Sequence, residues 1–483
     1  MKRIFYVILA ALLALSVLAA CGGTKKEPVN GGTTAPGTDA DTAPATEEVT
    51  APYVHPTADL NNGEINIMIP EGKIWWFDDY EGSWVPTTML NKELLRNVKV
   101  QDTLNCELVY RKVKQNQEAY SAALAAEAAS QDGAYDMVLV PYDWNLETSG
   151  YFMDLLPMEE IDLSQPWFVH GWNDIAAIRG QLRGAVGYGV GEVMSQTVGV
   201  FYNKTIFDNQ FADYSVFDYV DTMSWTLDTM LTMARSVTLL TEDAPTLGWK
   251  SESIYGVSVS TSGGRGMFWS LGGQLFTLDE NGDPTPDFMN DRNITAFDKS
   301  LDLMNDESKI YIADYRNIMS HFSQGKALFA ITNIGDASEI LSKDVRYGIL
   351  PCPLLNEDQK DYVSFNFGTA HFAIPKTVNS AHNSAVLLNE FNYFSDLYVR
   401  PAYFDTIMKE RYAQDPDSAR MVDLIMKTVR LDFASIYNKQ LDSVASGVWD
   451  LVSQRKRNYV SEYRSRMNNM DTLLENLVRE YMQ

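Results

Sequence analysis

The chain has 483 residues, 45% hydrophobic and 21% charged, which is enough apolar material for a real core and excludes a mainly disordered or fibrous protein. Acidic residues outnumber basic ones by 64 to 39, and the formal charge of -25 repels nucleic acid and anionic membrane surfaces as direct partners. Three cysteines are too few for a disulfide scaffold.

Lys2 and Arg3 open the chain, residues 4–20 are almost wholly apolar, and the run ends Leu18-Ala19-Ala20-Cys21. A basic start, an apolar stretch and small residues before a cut site make an export signal. The cysteine directly after them resembles a bacterial lipobox. Removal of residues 1–20 and acylation of Cys21 are therefore expected, with an ordinary secretory peptide as the alternative. Two or three acyl chains hold a protein stably on the extracytoplasmic face of the cell membrane. Residues 21–62 are rich in Thr, Pro, Gly and Ala and bury too little surface to offset their ordering entropy, so they predict a disordered tether. No other segment is long and apolar enough to enter a bilayer, so the body is not a channel or polytopic transporter.

Ile65, Ile67 and Ile69 fall on every second position, the period of a strand. A helix is expected over about 87–104 and a short strand over 107–110. Residues 118–130 (EAYSAALAAEAAS) are alanine-rich and predict a helix, stopped at Gly133. Residues 135–140 (YDMVLV) are a nearly continuous apolar run, as in a buried parallel strand. This alternation predicts an α/β fold with doubly wound sheets. Further strands are expected over 198–202, 254–259, 327–332, 347–350 and 371–374. From about 448 to 481, Leu451, Val452, Tyr459, Tyr463, Met467, Met470, Leu474, Leu477 and Tyr481 recur at helical spacing.

No catalytic signature stands out. There is no Walker phosphate loop, and in Gly187, Gly189 and Gly191 the third glycine comes too early for a dinucleotide fingerprint. The five histidines show no metal-ligand spacing, and no GxSxG elbow occurs. No catalytic residue, cofactor or metal site is expected. Cys106 and Cys352 either pair across the fold or stand as lone buried thiols, the second being favoured. Spacing alone leaves open a carboxylate pair for glycoside hydrolysis.

Four segments resemble, in order, the bacterial extracellular solute-binding protein family 1. They are Phe201-Tyr202-Asn203-Lys204, Ser224-Trp225-Thr226-Leu227-Asp228, Phe322-Ser323-Gln324-Gly325-Lys326-Ala327-Leu328-Phe329, and Tyr347-Gly348-Ile349-Leu350-Pro351-Cys352-Pro353 followed by Phe372-Ala373-Ile374-Pro375-Lys376. The resemblance implies the sugar-binding lipoprotein receptor of an ABC importer. It has a periplasmic-binding-protein-like fold, two α/β lobes joined by a hinge, and closure of the lobes on a small solute. Expected partners are that solute and permease subunits with separate ATPase subunits. A monomer is expected, attached to the membrane through its lipid alone and changing no bond in its ligand. Lobe 1 is expected at 63–195 and about 366–430, and lobe 2 at 196–365 and about 431–483.

The family pattern does not fix the ligand-binding residue types. Sheets of this kind bind ligands beyond the carboxyl ends of their strands, which nominates positions. Glu71, Trp75 and Trp76 follow the first strand, and Tyr142, Asp143 and Trp144 follow YDMVLV. Ser195 and Gln196 precede the YNK segment. Ser262, Arg265 and Trp269 follow 254–259, Asn333 and Asp336 follow 327–332, and Asn366 lies near the return crossing. Aromatic faces among short polar groups suit a neutral polyol, since rings cover axial C–H groups while amides and carboxylates meet vicinal hydroxyls. Trp75, Trp76 and Trp269 serve equally as core residues, and Arg265 either pairs with a carboxylate or marks an anionic ligand. Arg455, Lys456, Arg457, Arg464 and Arg466 read as a solvated helix face or as a contact for an acidic permease. Two other functions stay open, a lipid-anchored glycoside hydrolase and a ligand sensor for a signalling partner.

Overall fold

The alternating isoleucines do form a strand, β1 (Gly63–Pro70), followed by α1 (Thr87–Leu104), β2 (Cys106–Val113), α2 (Gln117–Ser130) and β3 (Met137–Val140). This computed structural model describes residues 53–483 except 57, 59, 73–76, 78–86, 143, 145, 243–251, 307–309, 341–344 and 408–415. The export signal, Cys21 and most of the tether lie outside the described residues. All elements belong to the unit His55–Gln483.

β1 pairs in parallel with β2, Gly63 opposite Cys106, and with β3, Ile67 opposite Met137. The second half of β1 and all of β3 are buried. That double-sided burial explains why β3 reads as a solid apolar run. Helix α2 starts where Asn116 accepts the Ala119 N–H at 2.7 Å. It stops at Gln131, in the left-handed region at φ 52, two residues before the expected Gly133. The buried Tyr120 hydroxyl on α2 reaches Met68 O at 3.1 Å and Leu139 O at 2.7 Å, tying the helix to both strands. Met68, Leu124, Val138, Val140, Phe152 and Ala373 complete that core.

The chain then passes through α3 (His170–Ala176) and α4 (Glu192–Ser195) into β4 (Val198–Asn203) and β5 (Tyr255–Ser260). Next come α5 (Thr261–Ser270), the hairpin β6 (Phe276–Leu278) and β7 (Pro284–Pro286), and α6 (Asp291–Asn305). β8 (Ile310–Ala313), α7 (Tyr315–Ser323), β9 (Ala327–Asn333) and β10 (Tyr347–Leu350) follow. These strands build a second sheet, ordered β10-β4-β9-β5-β8. β5 runs parallel to β8 and β9, β4 is antiparallel to β9, and β10 is antiparallel to β4. β8 falls outside the strands expected from the sequence.

After β11 (Ser364–Phe365) the chain returns to the first sheet as β12 (His371–Ala373), antiparallel to β3, giving the order β12-β3-β1-β2. Both sheets are therefore mixed, and β4 and β12, the first strands after each passage, run against their neighbours. The two passages meet where Thr197 bridges Asn366, and next to the second of them β11 pairs in parallel with the later β13 (Val429–Arg430).

The helix α8 (Ala381–Phe394) packs on α1, with the Arg96 guanidinium over the Phe391 ring at 4.2 Å. The helix α9 (Pro416–Lys427) falls within the range expected for lobe 1, yet packs on β10 of the second sheet, and its Arg420 holds Asp221 through both guanidinium nitrogens. The single C-terminal helical run divides into α10 (Val444–Ser453) and α11 (Tyr459–Tyr481). Arg455 there takes φ 56 while the Lys456 N–H reaches back to Leu451 O, a left-handed helix stop. Arg457 pairs with Asp298 and Asp302, and Arg466 with Glu462, so these two members of the basic patch balance local carboxylates. Cys106 and Cys352 are free thiols, both pushed up to about 12 chiefly by burial. Among the described residues no helix is long and apolar enough to cross a membrane, and no cluster of side chains fits a metal ion.

Candidate ligand cleft

Three parallel strands of the second sheet end at one place. After β5 come Thr261, Ser262 and Arg265; after β8, Asp314 and Tyr315; and β9 ends in Asn333 itself. Tyr142, just past β3 of the first sheet, joins them, with Glu192, Gln196, Phe367 and Gly368 from the passages between sheets. Together they line a cleft of about 600 Å³. It lies beyond the carboxyl ends of the strands, where sheets of this kind take their ligands.

Local rules set each side chain. Ser260 caps α5 by accepting the Gly263 N–H at 2.8 Å, and its hydroxyl also accepts from Thr332 at 2.8 Å. A methyl group on Gly263 would lie 2.3 Å from Ile331 O, so only glycine lets α5 sit this close to β9. That approach leaves Arg265 exposed at the cleft, its guanidinium over the Trp449 ring at 5.6 Å. Asp314 caps α7, accepting the N–H groups of Arg316 and Asn317 and the Asn317 side-chain amide. Asn333 donates to Gln196 Oε1 at 3.1 Å, while its own Oδ1 is buried with no partner among the described residues. Tyr142 lies flush against the second passage, for a methyl on Gly368 would come 2.2 Å from its ring.

Glu192 fastens the two passages, its Oε2 accepting the Ala370 N–H at 2.5 Å. Burial pushes its carboxyl up to about 7, against the opposing pull of that N–H and of His371. Behind it, His371 Nε2 lies 2.8 Å from Glu147 Oε1, both side chains buried, and Trp172 stacks on the imidazole at 5.1 Å. Burial disfavours the Glu147 charge, but His371 outweighs it and holds this carboxyl below its ordinary range.

Of the expected ligand residues, the structure brings Tyr142, Gln196, Arg265 and Asn333 together, with Ser262 beside them. The others sit elsewhere. Trp144 turns into the first-sheet core, edge-on to Tyr120 at 5.2 Å. Glu71 is exposed at the end of β1. Ser195 backs onto Gly335, and Asp336 accepts the Thr332 hydroxyl. Asn366 is fully buried and spends its amide on Thr197 Oγ1, Glu192 O, Val193 O and the Gly368 N–H, so it joins the passages instead of facing a ligand. Trp269 stacks on Phe365 at 4.4 Å, at the far end of α5 from the cleft. It borders a larger depression of about 1200 Å³, bounded by β11, β13 and the 355–363 loop and away from the strand ends. Trp75, Trp76 and Asp143 lie outside the described residues.

Sequence reasoning missed Glu192, Thr261, Asp314, Tyr315, Phe367 and Gly368. Asp314 and Tyr315 were legible only through the Asp-Tyr-Arg-Asn helix start behind an unrecognised β8. Nothing local marked Glu192 or Gly368, which matter because the two passages meet.

No sequence match was found among curated proteins. Among solved structures, the chain is similar to a cyclo/maltodextrin-binding protein complexed with maltotetraose (TM-score 0.54, 13% identity, 86% of this chain and 96% of that one). It is also similar to an ABC substrate-binding protein from Listeria monocytogenes in complex with cycloalternan (TM-score 0.51, 14% identity, 86% and 99%). The GacH receptor of Streptomyces glaucescens, solved with and without acarbose, follows (TM-score 0.50, 13% identity, 84% and 99%). At such identities the likeness shows the two-lobe fold alone. The model of the family described as bacterial extracellular solute-binding protein matches residues 103–392, more than half of the sequence. Its ordered motifs, its paired mixed sheets and this match make the chain a member of the bacterial extracellular solute-binding protein family.

Proposed function

We propose that this chain is the extracytoplasmic receptor of an ABC importer and that its solute is a carbohydrate or oligosaccharide. The observation that carries the reading is the cleft itself. Both sheets and both passages line it, so a ligand there touches either side of the Thr197–Asn366 joint at once. Contact with both sides is what shifts a hinged molecule toward closure. The lining pairs aromatic faces (Tyr142, Tyr315, Phe367) with amides and hydroxyls (Gln196, Asn333, Thr261, Ser262), a surface matched to a sugar's C–H faces and hydroxyl edges. The solved complexes with maltotetraose, cycloalternan and acarbose support a saccharide.

In this reading the lobes bend at the passages, the closed form docks on permease subunits served by separate ATPase subunits, and Cys21 carries the lipid. The protein works as a monomer and leaves its ligand's bonds intact. The hydrolase alternative is not favoured, because both oxygens of Asp314, one of the cleft's two carboxylates, cap α7. The test is a thermal-shift screen of the chain without residues 1–20, carrying Cys21→Ala, against saccharides, peptides and polyamines. A ligand at 100 times its Kd adds about 2.7 kcal/mol of stability. Saccharides should raise the melting temperature, and a response confined to another class overturns the carbohydrate assignment.

A further inference from the structure

We propose that the solute is an acidic saccharide, a sugar chain bearing a uronic carboxylate that the Arg265 guanidinium takes at the mouth of the cleft. This rests on the receptor reading above and narrows it.

Arg265 is the only cation lining the cleft among the described residues. Several arginines elsewhere are held by carboxylates, with Arg179 on Asp283 at 2.7 Å, Arg346 on Asp208 at 3.1 Å and Arg400 on Asp396 at 2.6 Å. No described carboxylate lies within ion-pair reach of Arg265, and its contact is the Trp449 ring. The indole contact leaves the side chain exposed at the cleft, where its N–H groups can meet a ligand. The cleft's own carboxylates are otherwise engaged, Asp314 capping α7 and Glu192 holding the Ala370 N–H.

The remaining lining is neutral. The buried Asn333 Oδ1, with no partner of its own, asks for a donor such as a sugar hydroxyl. A neutral amide-and-hydroxyl lining with one fork-shaped cation matches a ring of hydroxyls carrying one planar monoanion. A phosphate dianion would leave half its charge unmet by a single arginine. Glu192 adds a pH dependence. With its carboxyl pushed up to about 7, it turns anionic as pH rises past neutral and then repels a uronate. His371 on β12 is the charged group that acts on it, while Arg265 on α5, Asp314 at the N-cap of α7, Tyr315 on α7 and Tyr142 after β3 line the same cleft.

Calorimetric titration of the same chain tests this with matched trisaccharides, the galacturonate, glucuronate and mannuronate oligomers against their neutral hexose counterparts. The tightest ligand should be a uronate, about 10- to 100-fold tighter than its neutral partner. The preference should be larger at pH 6 than at pH 8 and smaller in 500 mM than in 50 mM NaCl. Arg265→Gln should draw the ratio toward one, and Trp449→Leu should lower it part of the way. If the tightest ligand is a neutral sugar, the acidic class is overturned and the receptor reading stands. If no saccharide binds and another solute class does, the carbohydrate assignment falls together with the acidic class.

Discussion

Glu192 is a carboxyl whose folded environment works against its charge. Its folded value, about 7, lies above the ordinary 4.5, so the native state holds this proton more tightly than the unfolded chain does. Its contribution to stability is therefore fully present below about 4.5 and is lost as pH rises toward 7. Glu192→Gln keeps an acceptor for the Ala370 N–H and should be the more stable protein at pH 8, by about 1–3 kcal/mol, with little difference at pH 4.5. Urea midpoints at the two pH values measure this. Glu147 has the opposite sign, since His371 holds its carboxyl low and its contribution disappears only as the medium turns acid. His371→Ala at pH 7 should cost about 3–5 kcal/mol by stranding a buried charge, and adding Glu147→Gln should recover part of it. Tyr142→Ala should weaken ligand binding about 5- to 150-fold by calorimetry, from lost aromatic burial of about 1–3 kcal/mol.

At the scale of elements, α5 decides where the cleft lies. Its glycines let the helix settle on β9 and β4, with Gly266 against Val198 and Phe365. Gly263→Ala would press a methyl into Ile331 O and should cost about 1–3 kcal/mol, read as a lower urea midpoint at unchanged slope. Element existence was largely legible, because burial imposes its period on the residues. β10 runs over the residues expected, and α1 matches its expected span. β8 escaped because Ile310–Ala313 is a short run with one fully buried residue, at the sheet edge. The division of the C-terminal run escaped because Arg455 adopts a left-handed conformation that no glycine announces.

For the whole molecule, the distinctive feature is that its two sheets are linked by two passages that meet at Thr197–Asn366, where α4 and its Glu192 bear on the second passage. In the proposed mechanism, bending there would change the cleft, whose lining residues lie on both sides of the Thr197–Asn366 bridge. A bound saccharide should lower the radius of gyration in solution scattering, and one that binds with no such change would contradict closure. The helix α9 complicates a division by sequence ranges, since it follows the return passage yet packs on β10. Contacts of α11 extend from Phe288 O, reached by the Tyr459 hydroxyl, to the Arg183 N–H, taken by the Tyr481 hydroxyl.

Sequence alone determined the alternation of strands and helices, the family and the strand ends around which the cleft forms, because periodicity and ordered motifs are local records of burial. Only the tertiary structure decided which side chains meet there. Gln196 and Asn333 are 137 residues apart and hydrogen-bond at 3.1 Å, while Trp144, two residues past Tyr142, turns into the core against Tyr120. Beyond a strand's last ladder bond no period dictates direction, so each loop side chain goes where packing from distant segments leaves it room.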